Sequence, residues 1–290
     1  MEIRKAERKN ARIKMALQGS AGSGKTYSAL LLAYGLCQDW SKIIVIDTEN
    51  SSADLYSHLG DYKILSLQGP YMPENYIKAI GLCEEANADV IIIDSLSHAW
   101  DCLLDIHSNM AGNSFTNWSR ITPRQNAFIN RILSCNTHVI ATMRVKQDYV
   151  LNQKDGKYVP EKVGLKAIQR DGVDYEFTLV LDIDAKHHAV TSKDRTGLFI
   201  NKPEFTITEV TGKTILDWCN SGSDSLEALK TSIEDCESLE RLRELYNSQT
   251  DLSPDMIQAF TTKKVSLSEF NKVQNKLTLK FNPNGSFTSH

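Results

Sequence analysis

Eight consecutive residues, Gly19-Ser-Ala-Gly-Ser-Gly-Lys-Thr26, supply the groups that a polyphosphate requires. They fit the pattern of glycine, four residues, glycine, lysine, then serine or threonine, in which backbone N–H groups cradle phosphate oxygens. Gly22 and Gly24 let the main chain approach the anion, Lys25 reaches the β- and γ-phosphates, and the Thr26 hydroxyl ligates Mg²⁺. Ser20, Ala21, Ser23 and Tyr27 complete the nucleotide-binding set expected around them. A second stretch, Asp89-Val-Ile-Ile-Ile-Asp-Ser95, reads as a buried strand delivering the Asp94 carboxylate to the same rim, where it would hold Mg²⁺ through water across from Thr26. A glycine-rich turn with a chance lysine, or a strand capped by an aspartate, would explain either stretch alone. Together they describe both halves of a Mg²⁺–nucleoside triphosphate site.

The elements that must position these groups are an alternation of apolar strands and helices. Met15, Ala16 and Leu17 lie in a strand before the glycine loop, and Tyr27–Leu36 is apolar over helical length, so the loop sits at a strand-to-helix turn. Ile43–Asn50 is an apolar run ending in acidic residues, Tyr62–Leu67 a weaker strand, and Glu74–Ala86 a helix. The chain from His107 to Pro123 is polar and loop-like, Arg124–Ser134 helical, and His138–Arg144 another buried strand. This order predicts an α/β fold: a mostly parallel sheet covered by helices on both faces.

Composition fits an ordinary globular chain: of 290 residues, 41% are hydrophobic and 24% charged, which excludes disordered and fibrous classes. A net charge of −3 gives no global attraction to polyanions, so nucleic-acid contact would need local basic patches. The six cysteines are scattered without metal-ligand spacing and read as buried apolar groups in a reducing compartment. No apolar run has the length of a membrane span, and the charged amino terminus is unlike a secretory signal, so a cytoplasmic protein without membrane contact is expected.

Three further regions stand out. Arg4, Lys5, Arg8 and Lys9 form a basic arm that serves either a solvated helix or phosphate contact. Val145–Gly172 carries Lys146, Lys154, Lys157, Lys162, Lys166 and Arg170 with Tyr149 and Tyr158 around Asp155-Gly156, which predicts a hairpin projecting from the sheet edge. Cations interleaved with rings suit single-stranded nucleic acid, and an ordinary solvated hairpin fits the same residues. After Asn220-Ser-Gly-Ser-Asp224 the composition shifts to short amphipathic helices ending in a polar tail, so the expected domains are 1–220 and 221–290.

The order of G-S-A-G-S-G-K-T, I-I-V-I-D-T-E-N, V-I-I-I-D-S-L-S-H-A-W, H-V-I-A-T-M-R, G-L-K-A-I-Q-R-D-G-V-D-Y-E-F and S-K-D-R-T-G resembles the RecA-like ATPases, most closely the phage ATP-binding proteins of single-strand annealing and recombination, the Sak-type group. The resemblance covers about residues 1–220. It implies ATP and Mg²⁺ as ligands, single-stranded DNA as a partner, a homo-oligomeric ring or filament, and a single-stranded-DNA-binding protein as a possible contact of the C-terminal helices. It also implies that Glu49 is the general base, in keeping with Ser95, rather than a second acid, following Asp94. Relatives place a polar γ-phosphate sensor where this chain has Thr142, Met143 and Arg144. Lys193 and Arg195 resemble the cations that RecA-like rings insert into a neighbouring subunit's site. His98 and Trp100 are expected to pack beneath the nucleotide or at a subunit contact. The implied activity is a DNA-dependent ATPase; an NTP-driven switch that binds only proteins and a small-molecule kinase are the alternatives.

Overall fold

The computed structural model describes residues 11–154, 157–247 and 254–278; the basic arm, the Asp155-Gly156 turn and the polar tail lie outside the described residues, as do the side chains of Tyr149, Lys154, Lys157, Tyr158 and Lys162. In chain order the elements are β1 (Lys14–Gly19), α1 (Lys25–Cys37), β2 (Ile43–Asp47), β3 (Lys63–Ser66), α2 (Pro73–Glu85), β4 (Val90–Asp94), α3 (Ser97–Ser108), α4 (Ser114–Ser134), β5 (His138–Lys154), β6 (Lys157–Ala167), β7 (Leu179–Ile183), β8 (His188–Asp194), β9 (Phe205–Thr206), α5 (Glu209–Glu234), α6 (Leu239–Asn247) and α7 (Pro254–Thr278). Two compact units separate by their contacts, one of Asn10–Cys219 and one beginning at Asn220. No helix among the described residues is long and apolar enough to cross a membrane.

In the first unit the strands run in the order β3-β2-β4-β5-β1-β7-β8-β9, with β6 paired to β5 outside that row. The six from β3 to β7 are parallel, and β8 and β9 are antiparallel additions. Alternate side chains of each central strand enter different cores, as the two-residue period of a strand dictates. Met15, Leu17, Val45, Ile92 and Ile140 pack on one face with Leu30, Leu32 and Leu36 of α1. Ala16, Ile46, Ile91, Ile93 and Val139 pack on the other with Tyr76 and Ile80 of α2 and Phe128 and Ile132 of α4. The RecA-like α/β sheet covered on both faces is thus observed. No disulfide joins the six cysteines, and burial pushes the Cys83 thiol up to about 12, so it behaves as an apolar group.

The close approach of α1 and α5 depends on two glycines. A Cβ on Gly35 would lie 2.2 Å from the Glu209 carbonyl oxygen, and one on Gly212 would lie 2.3 Å from that of Leu32. Gly35→Ala is expected to cost about 1–3 kcal/mol through overpacking. Thermal melting would show this as a drop of several degrees; an unchanged melting temperature would contradict the contact.

Two sequence expectations need correction. The stretch from 107 to 123 is mostly helical: α3 continues to Ser108 and α4 begins at Ser114, where the Asn113 side chain accepts from Phe115 N at 2.8 Å as a cap. Pro123 lies inside α4, and the buried stripe of Asn117, Ile121, Gln125, Phe128 and Ile132 holds the helix through it. The hairpin of β5 and β6 grows from a central strand and not from the sheet edge: β5 lies between β4 and β1, then runs on beyond them and pairs with β6 from Val145↔Ala167. The polar run at 220–224, where the two units divide, lies within α5. A helical glycine costs only about 1 kcal/mol relative to alanine, too little to end a long helix.

The second unit has its own small core of Ile233, Cys236, Leu242, Met256, Phe260 and Leu267. Tyr246 meets Phe260 edge-on at 5.2 Å. The amphipathic helices expected there are present.

Candidate active site

β1 delivers its last residue, Gly19, to the carboxyl rim of the sheet, and the chain turns through Gly22 (φ 78°) and Gly24 (φ 86°) into α1. Both glycines occupy the left-handed region, which a side chain would strain. Ser23 N donates to Ser20 O at 3.2 Å, Ser28 N donates to Gly24 O at 2.9 Å, and no side chain caps α1, so its amino end is presented as backbone N–H groups. The buried Ser23 hydroxyl has no hydrogen-bond partner. Lys25 Nζ donates to the carbonyl oxygens of Gly19 (3.0 Å) and Ser20 (2.8 Å). Burial lowers its pKa, against the opposing charges of Asp94 and Glu49, so Lys25 stands in the field of both acids.

Asp94 ends β4 and is only 2% exposed. Its Oδ2 accepts from Thr26 Oγ1 at 2.6 Å and its Oδ1 from Thr142 Oγ1 on β5. Burial raises its pKa, and the two hydroxyls partly offset this. A hydroxyl and a carboxylate in contact at the foot of a phosphate loop are hard oxygen donors that fit Mg²⁺, and a divalent cation there would favour the ionised carboxylate.

Glu49 follows β2, which lies beside β4 with Asp47 opposite Asp94. The Asp47 carboxylate accepts from Glu49 N (2.6 Å) and Ala53 N (3.1 Å), closing the turn that raises Glu49 at the rim. Glu49 Oε1 accepts from Ser95 Oγ and Arg144 Nε, each at 2.9 Å, and Oε2 accepts from an Arg144 Nη. Burial pushes the Glu49 pKa up, but the hydrogen bonds of Arg144 and Ser95 and the Arg144 charge outweigh it, leaving the group below the usual carboxylate range. His98 stacks on Tyr71 at 4.9 Å, with Nδ1 2.8 Å from Thr48 Oγ1 and Nε2 3.9 Å from Glu49 Oε1. Burial lowers its pKa, against the opposing charge of Glu49. Of the three residues in the expected sensor region, Thr142 engages Asp94, Met143 is buried in the core, and Arg144 engages Glu49.

Lys193 and Arg195 are not part of this constellation within one chain. β8 is antiparallel to β7, and Asp194 stands opposite Leu179, which is level with Met15 at the amino-terminal part of β1. Both cations are tied to the Tyr175 carbonyl, Arg195 at 3.1 Å. Sequence reasoning missed His187, in the turn between β7 and β8. Its Nδ1 lies 3.0 Å from Ser23 O and donates to it, the role a carbonyl partner requires. Asp184 builds that turn by accepting from Lys186 N and His188 N, both at 2.8 Å. His187, Tyr27 and Tyr56 line a cleft of about 520 Å³ beside Lys25 and Thr26, with the two tyrosines edge-on at 5.6 Å.

Trp100 stacks with Trp118 (5.9 Å), which stacks with His107 (4.1 Å). Trp100, Phe115 and Trp118 share a cleft of about 650 Å³ with Lys146, Lys166 and Arg170 at the stem of the hairpin.

No curated protein matches the chain. A family model described as the AAA domain matches residues 11–214, more than half of the 290-residue sequence and all of the loop, strand tips and acids described above. The chain therefore belongs to the AAA-domain family and carries its nucleotide-binding P-loop ATPase domain.

Proposed function

We propose that this protein is a DNA-dependent ATPase of the single-strand annealing or recombination kind, hydrolysing ATP at the rim where Lys25, Thr26, Asp94 and Glu49 meet. The loop N–H groups and Lys25 bind the phosphates, and Tyr27, Tyr56 and His187 wall the cleft where the base would lie. Mg²⁺ would be held by Thr26 and Asp94 and would supply positive charge against the phosphate oxygens. Glu49 takes a proton from water as the water oxygen bonds to the γ-phosphorus, and the bond to the bridging oxygen breaks to leave ADP.

The observation that carries the DNA half is the cleft beside the hairpin stem. Trp100, Phe115 and Trp118 offer rings to bases, and Lys146, Lys166 and Arg170 offer charge to phosphates. Phe115, 86% exposed, is the accessible one of the three. Asp101, Asp148 and Asp171 line the same cleft, and this matching of acids to cations favours the second reading, a nucleotide-driven switch for a protein partner. Hydrolysis measured with and without single-stranded DNA across a protein concentration series separates the two. DNA should raise turnover, salt should weaken binding, and Phe115→Ala should lower DNA affinity about tenfold. Turnover indifferent to DNA would leave the ATPase and remove the DNA.

The distance of Lys193 and Arg195 from their own loop supports their insertion into a neighbouring copy's site. Arg195→Ala should bind nucleotide and fail to hydrolyse it, because the transferred phosphoryl group loses a stabilising cation. Mixing it with Glu49→Gln chains should restore part of the activity, since the site of an Arg195→Ala chain that receives the arginine of a Glu49→Gln neighbour holds one intact acid and one intact arginine. No recovery at any ratio would argue for a site complete within one chain.

A further inference from the structure

A side-chain amide offers a donor and an acceptor side by side, which is what the edge of a nucleobase pairs with. Three of them on α4, Gln125, Asn126 and Asn130, line a cleft of about 330 Å³ whose other residues come from 170–173 and Glu176. Gln125 is only 1% exposed, so it forms the floor. Its orientation is fixed from behind. Gln169 Nε2 donates to Leu96 O at 3.3 Å, which leaves Gln169 Oε1 to accept from Arg170 N (2.8 Å) and from Gln125 Nε2 (2.9 Å). Gln125 is then left with its Oε1, which has no hydrogen-bond partner among the described residues. A buried acceptor without a donor is costly and uncommon in a folded chain, so the floor of the cleft calls for a donor from outside. Asn126 offers the complement: its Oδ1 accepts from an Arg170 Nη at 3.0 Å, and its N–H groups remain to donate.

The rest of the cleft indicates what carries that donor. Ile129 and Val173, each 6% exposed, place apolar surface beside the amides, as the flat face of a ring requires. Asp171 and Glu176 bring carboxylates, which repel a phosphate. A bare ammonium would meet the acceptors and leave the N–H groups of Asn126 and Asn130 unused. A heterocycle with an amino group beside a ring nitrogen uses both kinds of group. Arg170 and Asp171 also line the cleft of Trp100, Phe115 and Trp118, so the amide cleft adjoins the surface on which a strand would lie. We propose that this cleft takes one base of a bound single strand, edge first, and selects cytosine or adenine over thymine by their exocyclic amino group. Gln125 Oε1 accepts from the amino group, and an N–H of Asn126 or Asn130 meets the ring nitrogen beside it. This rests on the reading of the protein as one that binds single-stranded DNA.

Cytosine and thymine separate the outcomes, because one presents an amino group where the other presents a carbonyl. The full chain, with Mg²⁺ and a non-hydrolysable ATP analogue, is titrated with fluorescent oligo(dC) and oligo(dT) of equal length. Oligo(dC) should bind about tenfold more tightly, since thymine sets a carbonyl against a buried carbonyl. Gln125→Leu should bring the two within about twofold, by weakening oligo(dC) and not by strengthening oligo(dT). Asn130→Ala, at an exposed position of α4 where the fold should be unaffected, should weaken oligo(dC) about threefold and leave oligo(dT) unchanged. This second variant carries the test if Gln125→Leu fails to fold. Equal binding of the two strands by the wild type, or a preference that survives both substitutions, would overturn the base pocket and leave the DNA reading standing. Equal binding accompanied by Gln125-dependent binding of deoxycytidine monophosphate would likewise overturn the strand as the source, and assign the cleft to a free nucleotide. Binding of neither strand would remove the pocket and the DNA reading together.

Discussion

Glu49→Gln should slow ATP turnover at least about a hundredfold, equivalent to about 2.7 kcal/mol of barrier, while ATP and ADP continue to bind. The substitution keeps the shape and an acceptor for Ser95, and removes the group that can take a proton. Ser95 stands beside Asp94, and Asp94 itself is held by Thr26 and Thr142, so neither neighbour can replace the lost base. Arg144 is left without its ionic partner but is partly exposed, so no charge is stranded in the core and the fold should survive. The same variant carries a pH signature. The Glu49 pKa is depressed in the folded chain, so it contributes stability that is present above its ordinary value of 4.5 and lost as pH falls through the lower folded value. Glu49→Gln should remove that contribution and flatten the acid limb of the stability curve. Turnover within about threefold of wild type would show that another group activates the water.

How much of this was readable beforehand depends on the range of the interactions involved. Gly22, Gly24, Lys25 and Thr26 act through local backbone, and Asp94 and Glu49 close apolar runs whose length marks interior strands, so pattern alone locates them. The partners of those acids are another matter. Thr142 reaches Asp94 because β4 and β5 are neighbours in the sheet, and Arg144, level with Gly19 of β1, reaches Glu49 because β5 continues past the end of β4. Strand order is a property of the whole chain, which is why the hairpin looked like an edge feature and Arg144 like an anomalous sensor. His187 meets Ser23 across 164 positions through a turn with no motif of its own. Pro123 misled in the opposite direction. It is a local breaker worth a few kcal/mol, and longer-range burial decided the helix there.

Lys25→Ala should have the largest effect of all: hydrolysis lost beyond measurement, and nucleotide affinity down by at least about tenfold. In the folded loop Lys25 donates to the Gly19 and Ser20 carbonyls, so its ammonium is held at the turn whose N–H groups bind phosphate. A phosphoryl group in flight carries charge that these N–H groups alone cannot match. Loss of fold is not the reason for the expected loss of function. Burial lowers the Lys25 pKa below 10.5, so at neutral pH the folded chain holds this charge less well than the unfolded chain does, and removing it should leave the melting temperature unchanged or slightly higher. Lys25→Arg should not rescue turnover, because a broad planar fork cannot take the place of a compact ammonium between loop carbonyls and two phosphates. A Lys25→Ala chain that keeps more than about a tenth of wild-type turnover would remove the phosphate loop from the centre of the mechanism, whereas one that simply melts earlier would show that the lysine holds the loop together.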